Sequence, residues 1–77
     1  MAAIFESAEA AVRYVKETEF PEATFTLRIS DRFTFAGRPD ILGAGMAILV
    51  DAVWAKGFTP DGFEQKDGYR VYRYKAD

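Results

Sequence analysis

Among the residues able to do chemistry, Asp31 has the most suggestive position. Residues 23–35 alternate, with Ala23, Phe25, Leu27, Ile29, Phe33 and Phe35 on one side and Thr24, Thr26, Arg28, Ser30, Arg32 and Thr34 on the other; Asp31 falls on the apolar side. In a continuous strand it would stand between Ile29 and Phe33, where desolvation raises a carboxyl pKa toward the range useful for acid-base work. Aspartate is also a preferred turn residue, and beside Ser30 and Arg32 a loop tip is the stronger reading. Enzymatic alternatives are narrow, because the chain contains neither histidine nor cysteine. That removes the ordinary general base near neutral pH, the thiolate nucleophile and the Ser–His pair. It also removes disulfides and a zinc site built on sulfur or imidazole, and restricts any first-row metal site to oxygen ligands. The expectation is a domain without metal or cofactor, and a histidine-free enzyme using Asp31 or a tyrosine is the least favoured class.

Two other segments invite a chemical reading. Tyr69-Arg70-Val71-Tyr72-Arg73-Tyr74-Lys75 interleaves aromatics with cations, the composition of a strand that stacks bases and neutralises phosphates. Alternation weakens it: Tyr72 and Tyr74 turn inward with Phe63, leaving Arg73 and Lys75 outside beside Tyr69 alone. The formal charge of −2 and pI near 5.0 also argue against nucleic acid or an anionic membrane as the main partner. The charge is unevenly placed: Glu6, Glu9, Glu17, Glu19 and Glu22 make one end acidic, and Lys66, Arg70, Arg73 and Lys75 make the other basic. Gly43-Ala44-Gly45 lacks the spacing and the GK[ST] ending of a phosphate loop. Those glycines, and the pair Gly43 and Ala47, suit close approach of a second helix. Asp40 and Asp51 read as solvated charges on a helix face.

The elements that must position these residues follow from periodicity. A first helix is expected from about Ala3 or Ser7 to Thr18, with Ile4, Ala8, Ala11, Val12 and Val15 on one stripe, Ser7 as an N-cap for a start at Ala8, and Pro21 as the stop. As one straight strand residues 23–35 would reach about 43 Å, whereas a domain of this size is about 30 Å across. A hairpin with a three-residue loop at Ser30-Asp31-Arg32 resolves the conflict, and one long bent strand is the alternative. A second helix is expected over residues 39–57, with Pro39 at its first position and Gly57 at its C-terminal end. Thr59-Pro60-Asp61-Gly62 reads as a turn, and Asp67-Gly68 as a tight hairpin pairing Phe63 with Tyr72, Glu64 with Val71 and Gln65 with Arg70. A faint echo joins the two halves: Val12, Val15, Phe20 and Phe25 recur 38 residues later as Val50, Val53, Phe58 and Phe63.

These assignments predict an α+β fold: residues 1–77 as one small domain, a two-layer sandwich with an antiparallel sheet of three or four strands and two helices on one face. The order is α-β-β-α-β-β, or α-β-α-β-β with one long strand. The second helix is the most informative element. Ile41, Leu42, Gly45, Met46, Ile48, Leu49, Val50, Ala52, Val53 and Trp54 cover about two-thirds of its circumference. Asp40, Ala44, Ala47, Asp51 and Ala55 form the strip left for water. The Ile41-Ile48-Ala52 line should meet the sheet, and the Met46-Val50-Trp54 line needs another cover, which a narrow, alanine-rich first helix supplies poorly. Met46, Val50, Trp54, Gly43 and Ala47 are therefore the expected interface, for a homodimer or a protein partner. A small-molecule pocket lined by Phe25, Phe33, Trp54 and Tyr72 is the alternative. With no apolar run near the roughly 18 residues of a membrane span, a cytoplasmic protein is expected.

Overall fold

The computed structural model describes residues 3–77. Its elements are β1 (Ile4–Ser7), α1 (Ala8–Glu17), β2 (Thr24–Phe35), β3 (Arg38–Pro39), α2 (Ala44–Ala55), β4 (Phe58–Lys66) and β5 (Tyr69–Ala76). The class is α+β, and the sheet is mixed and has five strands. Strands run in the order β1-β2-β5-β4, with β3 paired to the far end of β2. β1 lies parallel to β2 and every other pairing is antiparallel. The expected three or four antiparallel strands are thus corrected to five, because Ile4–Ser7 and Arg38–Pro39 both join the sheet.

Ser7 decides the first correction. Its backbone is extended (φ −136°, ψ 147°) and its Oγ accepts a hydrogen bond from the Ala10 N–H at 3.3 Å, so α1 starts at Ala8. Ile4, placed on the expected helix stripe by its spacing, instead aligns with Arg28, and Phe5 beside it with Ile29. The second correction concerns residues 23–35: Thr24–Phe35 form the single bent strand of the alternative reading, with no hairpin at Ser30-Asp31-Arg32. The length conflict is resolved by a bulge. Phe5 faces Ile29 and Ser7 faces Thr34, so four residues of β2 stand opposite the single Glu6. Within the bulge the Ser30 Oγ accepts from the Arg32 N–H at 3.0 Å, and the Asp31 N–H donates to the Gly68 carbonyl at 3.0 Å. Bending there lets a twelve-residue strand fit a molecule 32 Å in its longest dimension. The true hairpin comes after it, where Ala36 (φ 54°) and Gly37 (φ 78°) connect Phe35 to Arg38 with the two positive φ values of a type I′ turn. The Ala36 N–H donates to the Glu9 carboxylate, which tethers this turn to α1.

α2 begins five residues later than expected. Pro39 belongs to β3, and Gly43 is the N-cap with φ 71°. Asp40 supplies the cap chemistry from a distance: its Oδ1 accepts from the Gly45 N–H at 3.0 Å and its Oδ2 from the Met46 N–H at 3.2 Å. At the other end the Gly57 N–H donates to the Trp54 carbonyl at 2.9 Å and Phe58 turns into the core. Thr59–Gly62 is not a turn but a bulge inside β4, between Pro60 and Phe63, with Gly62 at φ 90°. The Asp67-Gly68 hairpin forms with the expected register of Phe63 on Tyr72, Glu64 on Val71 and Gln65 on Arg70.

Both helices bury their inner faces on one side of the sheet. Ala8, Ala11 and Val15 of α1 meet Leu49, Ala52 and Val53 of α2 above Leu27, Ile29 and Phe33. Below them an aromatic column runs from Phe20 through Phe25, stacked at 4.0 Å, to Tyr74 at 5.1 Å, with Phe58 edge-on. The 38-residue echo has a spatial counterpart, since Val15 and Val53 are both fully buried, Phe20 and Phe58 meet edge-to-face at 6.0 Å, and the Lys56 ammonium donates to the Thr18 carbonyl at 3.2 Å.

Gly45 sets how closely the layers pack. A Cβ there would stand 2.9 Å from the Asp40 Oδ2, 2.9 Å from the Phe33 ring and 3.0 Å from the Ala8 Cβ. Alanine in a helix interior gains about 1 kcal/mol over glycine, but overpacking costs about 1–3 kcal/mol and the displaced Asp40 cap about 1 kcal/mol more. Gly45→Ala is therefore expected to destabilise by about 2 kcal/mol in urea titration, and an equally or more stable variant would contradict this packing.

Candidate functional site

α2 buries Gly45, Leu49, Ala52 and Val53 and turns Ala44, Ala47, Ile48, Asp51, Trp54 and Ala55 to solvent. The expectation that the Ile41-Ile48-Ala52 line meets the sheet is corrected. Ile41 is 84% exposed and Ile48 38%, because the late helix start leaves Ile41 outside the helix and the Gly45-Leu49-Ala52 line takes the inner position. Asp51 is the only charged residue of the helix. Trp54, at 65%, and Leu42, at 95%, stand at opposite ends of this apolar surface. Of the residues expected at an interface, Trp54 and Ala47 lie on it, while Met46 and Val50 are half-buried on its flank. A Cβ at Gly43 would meet no atom within 4 Å, so this glycine serves the positive φ of the N-cap and not close packing.

Beside the N-terminus of α2 the surface dips into a groove of about 370 Å³, walled by the β2–β3 hairpin residues Phe35, Arg38 and Pro39 and by Ile41, Leu42 and Ala44. Helical spacing assigns Ile41 and Leu42 to the second helix and so hides them as surface. A signal for their true place exists, since they lie between Pro39 and Gly43, two residues that mark helix boundaries.

A second concavity, of about 390 Å³, opens where the β2 bulge, the β4–β5 hairpin and the first turn of α2 converge. Phe33 and Tyr72 line it; of the other two expected pocket residues, Phe25 sits in the aromatic column and Trp54 on the outer surface. Asp31 reaches its rim from the bulge and faces water. Opposite is Arg70, whose Nε donates to the Gln65 Oε1 at 3.0 Å and whose Nη1 donates to the Tyr72 hydroxyl at 3.4 Å. The hydrogen bond and charge interaction with Tyr72, and secondarily the Asp31 carboxylate, hold the guanidinium pKa above its ordinary value. Asp40 also lines the space but is committed to capping α2. Among the described residues no group of three or more histidine, cysteine, aspartate or glutamate side chains is placed to hold a metal ion.

Compared with known proteins, the chain matches no family model, no curated protein and no solved structure. Its own geometry has to carry the functional reading.

On the sheet face away from the helices, the basic strand is already engaged. Arg73 lies 3.6 Å from Glu64, Lys75 3.9 Å from Asp61 and Lys66 3.5 Å from Glu64, while Arg28 sits over the Tyr69 ring at 5.9 Å. Tyr72 and Tyr74 turn to the helix side, so this face carries one tyrosine and no series of rings for successive bases. No helix among the described residues is long and apolar enough to cross a membrane.

Tyr74 is the most perturbed acid among the described residues. It is 1% exposed, and its hydroxyl finds no hydrogen-bond partner there. Burial, reinforced by Tyr72, pushes its pKa up to about 12. The fold thus favours the neutral phenol, and this contribution is complete below about pH 10, the unfolded value. Stability is expected to fall between pH 10 and 12 by about 1.4 kcal/mol per pH unit from this group. Tyr74→Phe should flatten that decline and, by removing an unpaired buried hydroxyl, raise stability at neutral pH by about 1 kcal/mol. Urea titrations at neutral and alkaline pH measure both effects, and an unchanged alkaline slope in the variant would contradict the assignment.

Proposed function

We propose that this chain is an interaction domain that acts by covering the outer surface of α2 with protein, in the first instance with another copy of itself. The observation that carries the reading is Trp54, 65% exposed on a helix face whose single charge is Asp51 and which continues into Ile41 and Leu42. Contiguous apolar surface of this kind marks interaction sites, and exposed tryptophan is characteristic of their energetic centres. Burying an indole together with two or three aliphatic side chains is worth several kcal/mol before the cost of association. An acid-base enzyme using Asp31 or a tyrosine is the weaker reading, since Asp31 faces water at the cavity rim and Tyr74 is shut inside the core. A small ligand in the cavity beside Arg70 is the second reading, supported by a volume of about 390 Å³ within the range of small-molecule sites. A true ligand at about a hundred times its Kd would add about 2.7 kcal/mol and raise the melting temperature independently of protein concentration.

Self-association predicts the opposite pattern. Trp54 is the only tryptophan, so intrinsic fluorescence reports this surface directly. Between micromolar and millimolar protein its emission should move to shorter wavelength as the sedimentation-equilibrium mass doubles and the melting temperature climbs. Trp54→Ala and Ile48→Glu should both stay monomeric. A wild type that remains monomeric at millimolar concentration would refute self-association.

A further inference from the structure

Resting on the self-association reading, we infer that two copies pair their α2 helices antiparallel about a two-fold axis at Ile48, with Trp54 of each seated in the other's Phe35–Leu42 groove and Asp51 of each facing the other's Arg38. The argument begins with the helix itself. Ala44, Ala47, Ile48, Asp51 and Ala55 recur at the three- and four-residue spacing of a helix contact seam, and the three alanines let a second helix come within the usual 8–10 Å between axes. A seam of one helix meeting itself is isologous, so whatever residue i contacts at j, j contacts at i.

That symmetry fixes what the indole meets. Trp54 lies six residues after Ile48, about 9 Å along the helix at 1.5 Å per residue, whereas the helix begins only about 6 Å before Ile48, at Ala44, with the outward-turned Leu42 just ahead of that end. An antiparallel pair centred on Ile48 therefore carries Trp54 past the helix start of the other copy, to the segment that holds Leu42. Leu42 walls a groove of about 370 Å³ that also offers the Phe35 ring, Pro39 and the Arg38 guanidinium. Its size suits an indole, its walls are aromatic and aliphatic apart from Arg38 and the helix-capping Asp40, and Arg38 over a tryptophan face is a favourable cation–π contact.

The charges agree with the same alignment. Asp51 is the only charge of α2 and lies one turn before Trp54, and Arg38 is the only cation lining the groove among the described residues. Within the single copy neither side chain takes part in a hydrogen bond or ion pair with another described residue. Antiparallel pairing places these two opposite charges at the same contact, twice per dimer. A parallel pairing would set Asp51 beside Asp51 and leave Trp54 far from the groove, so charge and shape select the same orientation.

The test is a charge exchange read by sedimentation equilibrium. Asp51→Arg and Arg38→Asp are surface changes, and each variant should melt like wild type at low concentration. Each alone confronts like charges twice in its homodimer and should weaken association about tenfold or more. An equimolar mixture of the two restores both opposite-charge contacts and should dimerise with an affinity near that of wild type, with Trp54 emission moving back to shorter wavelength. Association as strong in either variant as in wild type, or no recovery in the mixture, would overturn this pairing while leaving association through α2 standing. A monomeric wild type would overturn both and leave the surface to a different protein or a small ligand.

Discussion

The contact that the rest of this structure depends on is the junction of Asp40, Gly45, Phe33 and Ala8. One carboxylate holds the first free N–H groups of α2, and one missing Cβ lets the helix settle against both the sheet and the start of α1. Because the cap is donated by a residue five positions upstream, the chain between Asp40 and Gly45 is freed from helical geometry and turns outward at Ile41 and Leu42. Stability of the layer contact and exposure of the apolar groove are consequences of the same arrangement.

The helix layer is thin by composition. Ala8, Ala11 and Ala52 occupy positions where larger side chains would push the helices apart, so α1 and α2 approach closely and neither can wrap around the other. The core volume comes from the aromatic column below, through Phe20, Phe25, Phe58 and Tyr74. A close helix pair leaves the far side of α2 uncovered. No other element among the described residues reaches across to hide Ile48 and Trp54.

Much of this was legible in the residues. The helix-to-strand alternation, the Ser7 cap, the Asp67-Gly68 hairpin with its register, and the α+β class follow from local rules that the structure obeys. The misreadings share one physical cause, a boundary set by a contact distant in sequence. β1 is apolar enough to extend a helix stripe, and only its pairing with Arg28 and Ile29 makes it a strand. The β2 bulge depends on Gly68 and β1, neither of which periodicity within 23–35 can reveal. Pro39 looks like a helix start until the Ala36-Gly37 turn draws it into β3. At the candidate site, the exposed Trp54 was visible in the helical phase. The groove at Ile41 and Leu42 was not, since it required knowing that the helix began at Ala44.

The bulge in β4 has a bearing on how this molecule avoids uncontrolled polymerisation. β4 is an outer strand of the sheet, and a flat outer strand is a template for fibril growth. Pro60 offers no amide proton, and Asp61 and Gly62 break the pairing rhythm directly after it, with a charged side chain at the kink. A foreign strand approaching that margin finds only short stretches to zip onto. With this margin blunted, the three most exposed large apolar side chains, Leu42, Ile41 and Trp54, lie on α2 and the segment leading into it, and none of them belongs to a strand.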